Sequence, residues 1–274
     1  MARGNTLSSE NSSSQHEHGA EPRVLPPLDV LLVVGGNHSH DYDFVRPELI
    51  RLVCAGRDLR IDIRSDFSDV DALRRTQRLV SYTCDVRPTP EEERALHAFV
   101  DGGGRWLALH STNALFDVDP VRVVTGHERF FGTVGSKFLS HPPICDFGVR
   151  VARNSVAEQL MHGVPDFTTS DELYLLEEAP GLEILLEVDA PAVAGAAAPG
   201  APIAYLHNIG SGQVLYCSLG HAGSPTHPHG THRCSWVAPE FGLILDRAKN
   251  WLIEGVPSGT EPAAAARNTT EASI

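Results

Sequence analysis

The sequence predicts an α/β fold built on a doubly wound, mostly parallel sheet, with helices on both faces and extra strands at the C-terminal end. Three observations carry this. The first hundred residues alternate short apolar runs with segments whose apolar residues recur at helical spacing. The run WLAL at 106–109 has no polar alternation, as expected of a strand covered on both faces. The second half is denser in strand-like segments and holds a hairpin signal at Gly210-Ser211-Gly212.

Taken in order, DVLLVV at 29–34 reads as a first buried strand. The polar stretch GGNHSHDYD follows, then a helix at about 47–55 whose Leu49, Leu52 and Val53 share a face. Residues 59–63 and 79–83 read as the next strands. In PEEERALHAFVDGGG, Pro90 suits a first helical position, Leu96, Phe99 and Val100 form an apolar face, and three glycines stop the helix. The strand 106–109 comes next and gives way to polar residues at His110, Ser111, Thr112 and Asn113. Further strands are expected at 146–152, 171–177, 183–188 and across the hairpin 203–219, with a flexible loop at 194–202. A closing helix at 239–253 turns Phe241, Ile244, Leu245, Ala248 and Trp251 inward.

The 274 residues are 42% hydrophobic, enough for a substantial core, and residues 28–256 are expected to fold as one domain. The tails, 1–27 and 257–274, have little to bury and are expected to be disordered. A net charge of -13 opposes binding to nucleic acid and to anionic membranes. No apolar run is long enough for a membrane span and no signal peptide opens the chain, so a cytoplasmic location is expected. Five cysteines at scattered positions, Cys54, Cys84, Cys145, Cys217 and Cys234, fit reduced thiols better than a disulfide framework, and none is expected to serve in chemistry.

The candidate site rests on where three histidines fall. His38 follows the first strand, His110 the fourth, and His221 the strand VLYCSL. In open parallel sheets ligands bind beyond the carboxyl ends of the strands, so these side chains meet if their strands are neighbours. Converging imidazoles suit a divalent metal such as zinc, or acid-base work near neutral pH. The competing reading is a set of scattered structural histidines, with His110 merely bonding a neighbouring loop. At the wet end of a strand, His110 is expected to cost little stability when removed.

Several stretches together resemble the ThuA-like (trehalose utilisation) family of the class I glutamine amidotransferase-like superfamily. They are GGNHSHDYDF, FVDGGGRWLALHST, FGTVGSKFLSHPP, DELYLL and GQVLYCSLGH, in the family's order across about 28–256. The resemblance implies a flavodoxin-like fold, a role in carbohydrate metabolism and a small-molecule carbohydrate as ligand. In amidotransferases of this fold the strand-to-helix elbow carries a nucleophilic cysteine. Here the elbow holds His110 with Ser111 beside it, so glutamine hydrolysis through a thioester is not available there. Ser111 lacks the G-x-S-x-G setting of a serine nucleophile and is assigned to substrate binding.

Other residues are expected to wall the pocket. Lys137 and His141, in FGTVGSKFLSHPP, are candidates to bind substrate, unless they belong to a surface loop. In DELY a strand period of two puts Glu172 and Tyr174 on one face and Asp171 and Leu173 on the other. The first pair is favoured for the pocket, because a carboxylate beside a phenol can move a proton or bind sugar hydroxyls, against an edge strand with an exposed acid. The predicted catalytic set is therefore His110, His221, Glu172 and Tyr174. The predicted substrate contacts are His38, Lys137, His141 and Ser111, and the predicted metal ligands are His38, His110 and His221. The loop GHAGSPTHPHGTHRCSW adds His227, His229, His232 and Cys234 at spacings of no standard zinc motif, and reads equally as a metal-binding loop or as a lid lending one histidine to the pocket. Two functions fit: an enzyme acting on a sugar or keto-sugar, or a non-catalytic sugar-binding or regulatory domain. The sequence leaves homo-oligomerisation open.

Overall fold

The computed structural model describes Met1 and residues 28–55, 59–118, 121–191, 198–226 and 230–256. Residues 2–27 and 257–274 of the tails expected to be disordered, and 194–197 of the loop expected to be flexible, lie outside the described residues. So do His227 and His229.

The first half alternates strand and helix: β1 (Leu28–Gly36), α1 (Tyr42–Cys54), β2 (Leu59–Arg64), α2 (Val70–Arg75), β3 (Arg78–Cys84), α3 (Pro90–Asp101) and β4 (Arg105–Leu109). A short β5 (Phe116–Val118) and β6 (Val121–Val123) pair with each other, and α4 (Glu128–Val134) leads to β7 (Ser136–Ser140). There follow β8 (Cys145–Val151), α5 (Ser155–Leu160), β9 (Phe167–Asp171), β10 (Leu175–Glu178), β11 (Glu183–Pro191), β12 (Pro202–Ile209), β13 (Gly212–Cys217) and α6 (Pro239–Glu254).

Nine strands form one sheet in the order β2-β1-β3-β4-β13-β12-β11-β8-β9. The first five run parallel and the remaining pairings are antiparallel. The chain thus starts as a parallel αβ layer and finishes with an antiparallel extension. The last parallel strand, β13, returns from the β12 hairpin to lie beside β4, which makes the ends of β4 and β13 neighbours.

Alternation along the central strands divides the core. Val30, Leu32 and Val34 of β1 pack with Val45, Leu49 and Val53 of α1 and with Phe241, Ile244 and Trp251 of α6. Leu31 and Val33 pack on the other face with Leu73 of α2, Leu96 of α3 and Phe130 of α4. Both faces of the sheet are therefore covered, which explains the unbroken apolar runs of β1 and β4. The capping box in which Thr89 and Glu92 bond each other's main chain starts α3 one residue before Pro90.

Two expectations need correction. Helix α1 begins at Tyr42, not near Pro47, because the Asp41 side chain caps it by accepting from the Phe44 N–H at 3.1 Å. Pro47 then lies inside the helix. The expected strand 171–177 is two strands, β9 and β10, and Glu172, Leu173 and Tyr174 form the break between them. The small elements α2, α4, α5 and β7 have no counterpart in the sequence reading.

Candidate functional site

Four connections bring the site together at the carboxyl ends of β1, β4 and β13. His40 ends the β1–α1 loop, one residue before the Asp41 cap, and pairs with Gly223 in an isolated antiparallel bridge. The Ala222 carbonyl accepts from the Asp41 N–H at 2.8 Å, and Asp41 also takes Arg233 at 2.7 Å. The loop after β1 is thus tied to the loop after β13.

His110 sits at the elbow after β4 with φ of 49°, in the left-handed region, and is fully buried. A non-glycine residue held there is uncommon and marks a backbone kept in place by its surroundings. Here Tyr216 donates to the His110 carbonyl at 2.8 Å, and the ring Nδ1–H donates to the Ser218 carbonyl at 2.8 Å. Because a carbonyl only accepts, that bond fixes the proton on Nδ1 and leaves Nε2 to take a proton or a metal.

His110 Nε2 is the hub. It lies 3.1 Å from His40 Nε2, 3.1 Å from the Tyr174 hydroxyl and 3.5 Å from Glu172 Oε2. Two ring nitrogens facing each other at 3.1 Å need a shared proton or cation between them, since two lone pairs repel. His221 Nδ1 stands 3.3 Å from Glu172 Oε1 and, although buried, makes no well-formed hydrogen bond. The ligand atoms of His40, His110, Glu172 and His221 all lie within 4.8 Å of one another. The three imidazoles are at most 7% exposed, and Glu172, with a side chain 12% exposed, is the member nearest solvent.

The electrostatics follow from this packing. Burial opposes charge on Glu172, yet His110 and His221 hold its carboxyl far below the usual carboxylate range. Burial likewise opposes charge on His110, but the Glu172 carboxylate, with Asp171 behind it, lifts its pKa above the ordinary imidazole value. Burial raises the Tyr174 phenol well above its ordinary value, so it remains a neutral hydroxyl at neutral pH.

The structure brings His110, His221, Glu172 and Tyr174 together. The break after β9, rather than strand alternation, turns both Glu172 and Tyr174 toward His110. His38 requires a correction: it is exposed, and His40, two residues on, takes the place expected for it. His141 stands at the rim, its ring stacked on Tyr174 at 5.8 Å and its Nε2 3.6 Å from Glu172 Oε1. Ser111 is buried with its hydroxyl 3.5 Å from His40 Nε2. Lys137 lies on β7 with its ammonium over the Phe131 ring at 5.4 Å, and is not part of the cluster.

No cysteine belongs to the four-residue cluster, although Cys84 borders it through Ser111. Among the described residues all five are free thiols, and burial pushes the pKa values of Cys84 and Cys217 up, the latter to about 12. Such thiols are poor nucleophiles at neutral pH. Under native conditions a maleimide should modify exposed Cys54 and spare Cys84 and Cys217. Mass spectrometry of labelled protein checks this, and rapid labelling of Cys84 would contradict it.

A family model described as ThuA, trehalose utilisation, matches residues 29–233, most of the chain. The chain belongs to the ThuA family. Solved structures agree on the fold. A ThuA-like protein from Parabacteroides merdae superposes with a TM-score of 0.62 at 16% identity, covering 87% of this chain and 94% of that one. A ThuA-like protein from Bacteroides uniformis gives 0.63 at 17% identity, covering 88% and 98%. A β-galactosidase from Rahnella sp. R3 gives 0.52 at 12% identity, covering 85% of this chain but 32% of the enzyme. At such identities the likeness shows the fold alone. No curated protein matches the sequence significantly. Of the ThuA match, the part up to residue 233 contains all four members of the His40, His110, Glu172, His221 cluster. No helix among the described residues is long and apolar enough to cross a membrane.

Proposed function

We propose that this ThuA-family protein is a cytoplasmic enzyme of carbohydrate metabolism that acts on a sugar or keto-sugar at a divalent-metal centre. Its fold would be the flavodoxin-like, doubly wound type, for which the parallel order β2-β1-β3-β4-β13 is the support. The observation that carries the functional reading is the meeting of three imidazole nitrogens and one carboxylate at the carboxyl edge of the sheet.

The residues fit a zinc-like ion. Zn–N bonds of about 2.0–2.1 Å at tetrahedral angles put neighbouring ligand atoms roughly 3.3 Å apart. Three separations come near this, 3.1 Å for His40 to His110, 3.3 Å for His221 to Glu172 Oε1 and 3.5 Å for His110 to Glu172 Oε2, and with the whole set within 4.8 Å the ligand atoms would draw in around a bound ion. The buried His221 Nδ1 gains a partner in the same stroke. His40, His110 and His221 would hold the ion, and Glu172 would close the set on the solvent side. When bound, the ion supplies a Lewis acid that polarises a carbonyl or acidifies a water.

The chain's own groups do the rest. The Ser218 carbonyl keeps His110 in the tautomer whose Nε2 faces the centre. Glu172, held ionised by His110 and His221, would serve as a carboxylate ligand and not as a base toward substrate. Tyr174, neutral and 3.1 Å from His110 Nε2, donates a hydrogen bond to a substrate oxygen on the same side. His141 flanks the approach. The reading excludes glutaminase chemistry, since the elbow carries His110.

A thermal-shift screen of the metal-loaded protein against sugars and their keto derivatives tests the substrate class. Stabilisation by such a compound, together with its turnover, is expected. Stabilisation without turnover would favour a sugar-binding domain, and no response to any of them would overturn the sugar assignment.

A further inference from the structure

Asp171, the last residue of β9, is fully buried and accepts from five donors. Its Oδ1 takes the main-chain N–H of Glu172 at 2.8 Å and of His221 at 3.2 Å. Its Oδ2 takes the Gly220 N–H at 2.9 Å, the Ser235 N–H at 3.3 Å and the Ser235 hydroxyl at 2.5 Å. A single oxygen therefore ties together the backbones of two site residues that lie 49 positions apart.

The surroundings are built to make those bonds. Gly220 adopts φ of 106°, where a Cβ would meet the Phe241 ring at 2.9 Å, so only glycine turns its N–H onto Asp171. The Gly220 carbonyl is held in turn by the Tyr82 hydroxyl at 2.9 Å and the Trp236 N–H at 2.7 Å. Cys234, at φ of 36°, bends the chain immediately before Ser235, and the Ser235 hydroxyl also lies 2.9 Å from that of Thr169. A lone buried carboxylate is costly unless its lone pairs are filled, and here five donors fill them.

We infer that Asp171 is the positioning residue of the site, setting Glu172 and His221 against each other through its shared Oδ1. The inference rests on the metal-centre reading for its consequence, although the bonding itself does not depend on a metal. Asp171 touches neither ion nor substrate. Its effect passes through the backbones of the two residues it holds, as outer-shell partners of metal sites do.

The test uses the full chain, zinc alone as probe, and two variants. Asp171→Asn replaces one accepting oxygen with an NH2 that opposes the N–H groups facing it, so the side chain must rotate and neither oxygen's set of bonds keeps its geometry. It should weaken zinc binding by about 10- to 100-fold on the folded fraction. Ser235→Ala removes a neighbouring hydroxyl while leaving Oδ1 with Glu172 and His221. It should lower the melting temperature and keep zinc affinity within about 3-fold, since each remaining bond to Oδ1 is intact. Hydrogen exchange supplies a readout free of metal: the Glu172, Gly220 and His221 amides should exchange slowly in the unaltered protein and lose protection in Asp171→Asn. Loss of protection in a protein that never binds zinc would sustain the positioning role and sink the metal reading. Rapid exchange of those amides in the unaltered protein would overturn the positioning role even if Asp171→Asn does not fold. So would an Asp171→Asn variant with zinc affinity and amide protection both unchanged.

Discussion

His110→Asn should abolish tight binding of a divalent ion, with a loss of at least about 100-fold, beyond the 10- to 100-fold typical of outer-shell changes. Asparagine is the informative replacement because it tolerates the left-handed backbone at this elbow, where φ is 49°. Alanine would mix loss of the ligand with backbone strain. The sequence places His110 at the wet end of a strand and predicts little loss of stability on its removal. The structure corrects that expectation: the ring is fully buried, stacks on Tyr82 at 5.7 Å and satisfies the Ser218 carbonyl. Leaving that carbonyl unpaired costs about 1–3 kcal/mol, so the variant should also melt a few degrees lower. Zinc titration and calorimetry of the same samples separate the two effects. A variant that melts lower but binds zinc as before would show His110 to be a structural histidine.

Trp106→Ala should produce the largest loss of stability of any change near the site, about 3–5 kcal/mol. Trp106 is fully buried on β4, with Phe67 edge-on at 5.9 Å and Phe130 at 6.1 Å. Its indole N–H donates to the Ser81 hydroxyl at 2.7 Å, which in turn lies 3.1 Å from the Thr112 hydroxyl in the elbow after His110. At about 2–4 °C per kcal/mol for a domain of this size, the melting temperature should fall by roughly 6–20 °C. Trp106→Phe keeps most of the volume and loses only the N–H, so its fall should be well under half as large. A shift of a degree or two for Trp106→Ala, measured by calorimetry, would mean that β4 is not packed as described.

The fold was legible where burial on both faces left a local mark. The apolar runs of β1 and β4 and the capped, amphipathic α3 depend on nearby residues, and they read correctly from the sequence. The short elements α2, α4 and α5 run for only six or seven residues, so their periodicity is too brief to register. The single strand expected across DELYLLE is broken because Asp171 turns its side chain to donors 49 to 64 residues away, an interaction with no local trace.

The site shows the same division. His110, His221, Glu172 and Tyr174 were legible because each follows or adjoins a recognisable strand. The choice between His38 and His40 was not, since both sit in one polar loop. The local clue was Asp41: as the cap of α1 it puts His40 at the mouth of the helix, on the bridge to Gly223. Reading Pro47 as the start of the helix hid that clue. Lys137 looked like a ligand-binding cation in the sequence, and its place over Phe131 depends on how α4 packs behind β7.

Titration of the chelator-treated protein with zinc decides whether His40, His110, Glu172 and His221 form a centre for a divalent ion. One ion per chain should bind. At free zinc 100 times the dissociation constant the gain is about 2.7 kcal/mol, which should raise the melting temperature by roughly 5–10 °C. The His40→Ala, His110→Asn double variant, if folded, should show neither effect. Absence of stoichiometric binding in the unaltered protein, or equal binding in the folded double variant, would show that these four residues do not form such a centre.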